Sequence, residues 1–343
     1  MEWVVVVLIL VLPLVGFYPP KNIDGWTTYR DRALFLLALT LLVWLAIFLL
    51  PFAIIFGLLL LRYRRYEDMH GIVLWSFIVS VWVLVRSLPD SALLLLITAT
   101  ILGAIQQSLF TMVDFSVWTY LKFKKRPPTP IVASLGNRTY LGAYLAIIAP
   151  LTASWEMLPY LVVIIFATML TTSRAAIPAM MIGVCVAWPA SSIVIIPVGA
   201  LGWIIVWRWL VTPALVKSLK SRWLIVKIAL YKTMFKPTTL LIGHGYNSFG
   251  YHSLAWVYRY GVKEGFMHAH NDWVQFFFEY GLVGYVALLL IIKDIYPFLH
   301  FGSAMTGSLV SLSLTSLFIF PHHIGPIGLT ILILLAIATR GVL

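Results

Sequence analysis

The sequence predicts an all-α integral membrane protein, a polytopic bundle of roughly ten to twelve transmembrane helices. Three observations lead there. The chain of 343 residues is 62% hydrophobic and 10% charged, with mean hydropathy +0.98, whereas a soluble domain carries about 25% charged residues. Apolar runs long enough to cross a bilayer recur from end to end. None is a ten-residue stretch of alternating polarity, which excludes a β-barrel.

In order, the runs are 3–18, 33–61, 71–87, 91–121, 131–153, 158–172, 175–190, 192–211, 271–292, 303–320 and 325–340. The first has only Glu2 ahead of it and no small-x-small cleavage site, so it reads as a retained span rather than a signal peptide. Pro51 sits inside 33–61, which reads as one kinked helix or two short ones. The run 91–121 carries Gln106, Gln107 and Asp114, so its second half is expected to lie along the interface. The lone cysteine, Cys185, lies inside an apolar run and acts as a small apolar residue, with no disulfide open to it within the chain. His322-His323 precedes Gly325-Pro326 in a short loop expected at the interface. No repeat of an inverted-repeat transporter is visible.

The net charge is +12, concentrated in 62–65, 122–126 and 212–267. The last segment holds Lys217, Lys220, Arg222, Lys227, Lys232, Lys236, Arg259 and Lys263 against the single acid Glu264. Within it, Leu219, Trp223, Val226, Leu230 and Met234 recur at helical spacing with cations between them, which predicts an amphipathic helix on the membrane surface. Basic residues confined to loops between spans argue against nucleic acid and for anionic lipid or a phosphate-bearing substrate. The organisation is thus a single transmembrane domain, 1–343, holding one large loop, 212–270. The runs 175–190 and 192–211 separate Arg174 from that loop. An even number of crossings puts Arg174, Arg222 and His270 on one face of the membrane.

Polar groups at a membrane boundary are functional candidates. Arg174, in Thr171-Thr172-Ser173-Arg174, either snorkels to the interface or binds an anion, since a guanidinium grips phosphate oxygens in pairs. Gly243-His244-Gly245 is a glycine turn suited to close backbone approach, and without Gly-Lys-Ser/Thr it is not a P-loop. His268 and His270 lie two apart, a spacing that does not share a helix face. With no CxxC or HExxH present, no metal site is expected. The bland alternative is a structural histidine at a helix start.

His270-Asn271, nine residues, then Gly281-Leu282-Val283-Gly284 resembles the His-Asn-x9-Gly-x-x-Gly signature of the O-antigen ligase superfamily. Three further segments follow in that family's order. Gly136-Asn137-Arg138-Thr139-Tyr140-Leu141-Gly142 is similar to its Gly-Asn-Pro-Asn-Tyr-Leu segment, with Arg138-Thr139 in place of Pro-Asn. Ser173-Arg174 is similar to its Ser-Arg at a helix end. Ser221-Arg222-Trp223 followed by Gly243-His244-Gly245 and Phe249 is similar to the arginine and glycine-turn run of its large loop. The resemblance covers about residues 100–300.

What it implies is a GT-C-like membrane glycosyltransferase of the bacterial inner membrane, with loop 212–270 on the extracytoplasmic side. The donor would be a glycan on undecaprenyl diphosphate. The acceptor would be a hydroxyl of lipid A-core, as in a ligase, or of a growing polysaccharide, as in the related polymerases. No cofactor, metal or nucleotide is implied. Carried over, Arg174 and Arg222 hold the diphosphate and His270 acts on the acceptor hydroxyl; Asn271, Asn137, Arg138, Gly243, Gly245 and His268 complete the substrate site. Tyr246, Phe249, Tyr251, Trp256, Tyr258, Tyr260 and Trp273 either stack on sugars or form an interfacial belt. A transporter or flippase for lipid-linked saccharide is the competing class. The positive-inside rule would put 122–126, and by parity Arg174, on the cytoplasmic side, opposite to what the resemblance implies.

Overall fold

A computed structural model describes residues 50, 54–55, 57–58, 75, 78–79, 81–124, 133–195, 197, 213–260, 267–319 and 325–340. The expected span 3–18, the basic loop 62–65, most of 33–61 and 192–211, the cations Lys125, Arg126 and Lys263, Glu264 and the pair His322-His323 lie outside them. Every regular element among the described residues is a helix, so the chain is all-α there. In chain order we label α1 Asp90–Phe123, α2 Arg138–Ile148, α3 Leu158–Leu170, α4 Ala176–Ala187, α5 Pro213–Met234, α6 Pro237–Ile242, α7 Ser248–Tyr260, α8 Asp272–Ile295, α9 Ala304–Ser316 and α10 Gly325–Ala338.

Among the described residues two helices are long and apolar enough to cross a membrane: α1, with 34 residues, and Asp272–Phe298, with 27. At about 1.5 Å per residue α1 reaches about 51 Å, against a hydrocarbon thickness of about 30 Å; the second is broken at Gly281 and is not one straight rod. The expected spans 158–172 and 175–190 are the helices α3 and α4, of 13 and 12 residues, or about 20 and 18 Å. Thr172, at φ 53°, marks the break between them. Each alone is shorter than that hydrocarbon layer. α1 also runs unbroken past Gln107 and Asp114, where the sequence suggested a change of direction.

The described residues fall into two compact units. One takes Leu88–Ser218, His270–Asp272 and Phe298–Leu343, and α2 is its centre. Leu141, Ala143, Leu145, Ala146, Ile147 and Ile148 are all buried, so the helix is covered on nearly every side. α2 ends where Pro150 forces the 3-10 turn Ala149–Thr152. α4 and α9 pack closely through facing glycines. A Cβ on Gly183 would lie 2.6 Å from the Gly307 carbonyl oxygen, and one on Gly307 would lie 2.7 Å from the Ala187 Cβ. The Ser311 hydroxyl donates across the same seam to the Ala179 carbonyl at 2.9 Å. Small residues and an interhelical hydroxyl bond are how helices associate where burial from water offers no driving force.

On α1, Leu93, Ile97, Ile101, Ala104, Ser108 and Thr111 form a buried stripe at three- and four-residue spacing. The opposite face is just as apolar: Leu95, Leu102, Leu109, Val113 and Phe123 are exposed, Phe123 by 82%. An outward face this apolar is a surface for lipid or for another protein. Arg340, beyond α10, donates to the Leu88 carbonyl and pairs with Asp90 at 2.7 Å, tying that end of the unit to the first turn of α1.

The other unit takes Leu219–Ala269 and Trp273–Pro297 with described residues up to Ser87. Its core is Ile225, Ile228 and Ala229 of α5, Phe249 and Trp256 of α7, Ala269, and Val274 and Phe278 of α8. The buried stripe of α5 is therefore Ile225, Val226, Ala229 and Thr233. Leu219, Trp223 and Met234, named from the sequence as its apolar face, are exposed, and the Lys227 ammonium lies over the Trp223 ring, 5.4 Å from its centre. The helix thus has a dry face against its own unit and an aromatic, cationic face outward.

Candidate active site

The glycine turn is held by a defect in α8. Gly281 has φ 64° and ψ −160°, which interrupts the helix. In an unbroken helix the carbonyls of Phe278 and Glu279 would accept from the amides four residues on. Here they accept from the turn: the His244 amide donates to Phe278 at 2.8 Å and the Gly245 amide to Glu279 at 3.0 Å. Both elements need glycine at the crossing. Gly243 has φ 70°, and a Cβ there would collide with the Glu279 carbonyl; one on Gly281 would meet the Gly243 nitrogen at 2.6 Å. Gly284 serves the same bend, since a Cβ there would strike the Tyr280 Cβ. Both glycines of the signature therefore have a mechanical role.

Above the turn, the His244 ring stacks on Phe278, centroids 4.1 Å apart and 13° from parallel, and meets the His252 ring edge-on at 5.0 Å. Tyr246 is largely enclosed. Burial, and secondly the charge of Glu279, push its hydroxyl up to about 12. Of the aromatics read as sugar platforms, Phe249 and Trp256 are core residues, exposed by 0% and 5%. Tyr251 is exposed and Trp273 half-buried. The side chains of Tyr258 and Tyr260 lie outside the described residues.

The histidine segment enters α8 through Asn271. Gln275, one turn inside, reaches back to it: its Oε1 accepts from the Ala269 amide at 3.0 Å and its Nε2 lies 3.4 Å from His268 Nδ1. The same Nε2 donates to Glu279 Oε1 at 3.0 Å. Gln275 and Glu279 are both buried, at 1% and 2% exposure. His270 itself is half-buried, with φ 53°. A left-handed backbone at a non-glycine residue is uncommon and marks candidate functional positions.

The two arginines fall in different units. Arg222 lies on α5, half-buried, in line with Val226 and Ala229 on the core-facing stripe. Arg174 belongs to the other unit, as do Asn137, Arg138 and His270–Asp272. Asn137 caps α2, its Oδ1 accepting from the Thr139 amide at 2.8 Å, so Arg138 opens the helix. Gln107 and Asp114 of α1 set the approach to that end. Asp114 accepts from the Ala133 amide at 2.8 Å, and Gln107 accepts from the Ser134 hydroxyl at 2.8 Å. Gly142 lets the Thr171–Ser173 turn sit against α2, for a Cβ there would lie 2.6 Å from the Ser173 Cβ. Arg174 follows that turn. Desolvation, and secondly the charge of Arg138, lower its pKa.

The structure thus groups Arg174, Arg138, Asn137 and His270 in one unit and Arg222, Gly243, Gly245 and His268 in the other. Two like charges close enough to oppose each other, at a helix N-terminus, form an arrangement an anion would relieve. Among the described residues no three His, Cys, Asp or Glu side chains converge as metal ligands. Sequence reasoning passed over Gln275 and Glu279. Their one signal was a carboxylate inside the apolar run 271–292. Compared with protein-family models, with curated proteins and with solved structures, the chain matches none.

Proposed function

We propose that this chain is a multi-pass, GT-C-like membrane glycosyltransferase of the O-antigen ligase kind, acting without metal or nucleotide. It moves a glycan from a polyprenyl diphosphate to an acceptor hydroxyl on the extracytoplasmic side of the bacterial inner membrane. The acceptor is lipid A-core for a ligase or a growing polysaccharide for the sister activity. The observation that carries the reading is the packing of the Thr171–Ser173 turn on α2 at Gly142, which brings the Arg174 charge into opposition with that of Arg138 at the capped end of the helix and supports a phosphate-binding role.

His270 takes the acceptor hydroxyl's proton on a ring nitrogen as the oxygen attacks the anomeric carbon. The bond from that carbon to the diphosphate breaks and its electron pair leaves on the phosphate oxygen. Arg174 and Arg222 stabilise the departing charge, and Arg138 and Asn137 help seat the donor. One base and in-line attack give inversion. The apolar outward faces suit the polyprenyl tail.

The test is transfer from a synthetic polyprenyl-diphosphate sugar to a glycan acceptor by purified protein in EDTA. Transfer by wild type, lost in Arg174→Ala, Arg222→Ala and His270→Ala proteins that stay folded, is the expected result. Transport of the intact lipid-linked sugar across vesicles without transfer would overturn it in favour of a flippase.

A further inference from the structure

Gln275 carries a hydrogen-bonding load that a helix cap alone does not need. A side chain reaching back from the first turns of a helix to the preceding backbone is ordinary capping geometry. Here the amide is also gripped from the other side. Glu279 lies one turn on, fully buried, and offers only acceptors when ionised. It therefore fixes the Gln275 amide with its nitrogen toward the carboxylate, which leaves Oε1 to face the Ala269 amide. The Glu279 main-chain carbonyl meanwhile holds the Gly245 amide. One residue thus ties together the glycine turn and, through Gln275, the backbone one bond ahead of His270.

We propose that Gln275 and Glu279 are a positioning pair that sets the His268–Ala269–His270 backbone, and with it the aim of the catalytic histidine. The inference rests on His270 being the base. Neither residue touches substrate. The pair acts by selecting the amide orientation that holds Ala269, so that His270 keeps its left-handed conformation without rearrangement during reaction.

The pair can be inverted. In Gln275→Glu two carboxylates face each other, and in Glu279→Gln the amide loses its directing charge. In the double exchange, Gln275→Glu with Glu279→Gln, the new carboxylate at 275 accepts from Ala269 and from the new amide at 279. We expect each single variant to lose tenfold or more in kcat with donor KM within about threefold of wild type, and the exchange to recover most of that loss. A second readout is hydrogen exchange of the peptide over 267–272, which should quicken in each single variant and slow again in the exchange. Gln275→Met, which keeps length and removes the contacts to Ala269, His268 and Glu279, serves if Glu279→Gln fails to accumulate in membranes. Single variants with wild-type kcat and exchange would overturn the proposal, as would an exchange variant no better than the worse single. Loss and recovery of protection in a protein that transfers no sugar would instead sink the glycosyltransferase reading and leave the pair standing.

Discussion

His270 and Thr172 share a left-handed backbone, φ 53° at each, but the chemistry of that conformation differs between them. Thr172 is β-branched, so its side chain crowds the backbone there, at a cost of about 1–3 kcal/mol. Thr172→Gly should therefore raise stability by about 1 kcal/mol, read as a higher denaturation midpoint in detergent. Asparagine visits this region readily. His270→Asn should fold as well as wild type while abolishing transfer, which separates the backbone from the base; retained transfer would remove His270 from the mechanism. Tyr246 adds a pH effect. Its ordinary value is 10.0 and the folded value is about 12. The folded protein keeps that proton where the unfolded chain has lost it, so the contribution is whole below pH 10 and lost as pH rises through 12. Tyr246→Phe should flatten the fall in stability across that window, measured by alkaline unfolding.

The lock between the glycine turn and α8 is a property of two elements together. Gly243→Ala and Gly281→Ala each add a Cβ at positive φ and into the other strand of backbone, so each should cost more than about 2 kcal/mol. The double variant should cost less than the sum, because either change alone breaks the same crossing. Additive losses in a thermal shift series would mean the glycines act separately. The long elements were legible in the sequence: 91–121, 271–292, 303–320 and 325–340 correspond to α1, α8, α9 and α10 to within a few residues, because uninterrupted apolar runs leave little choice. Thr171–Arg174 was legible as a break. The kink at Gly281 was not, since glycine inside an apolar run reads equally as packing or bending. The inward stripe of α5, with Ile225, Ala229 and Thr233, was not singled out for a related reason: Trp223 and Ile225 are both apolar, and only tertiary packing decides which turns inward. Gln275 and Glu279 escaped notice because the signature counts them among nine unspecified residues.

At the scale of the whole molecule, the described residues include two helices long and apolar enough to cross a bilayer and three shorter apolar ones, in α3, α4 and α10. Single-cysteine variants in a Cys185→Ser background give the orientation of α1 directly. Labels at positions 88 and 124 should react from opposite sides of sealed vesicles, and our proposal requires position 124 to be reached from outside the cytoplasm. Labelling of both from one side would mean that α1 does not cross.

Gln107 and Asp114 turn α1 into a depth gauge. They hold the segment leading to Arg138 at levels 17 and 24 residues beyond Asp90, about 26 and 36 Å along the helix axis. A hydrocarbon layer is about 30 Å deep. If α1 enters the lipid near Asp90, where Arg340 also anchors, the arginine end of α2 emerges at the far headgroup level. That is the depth at which a lipid-linked diphosphate carries its charge.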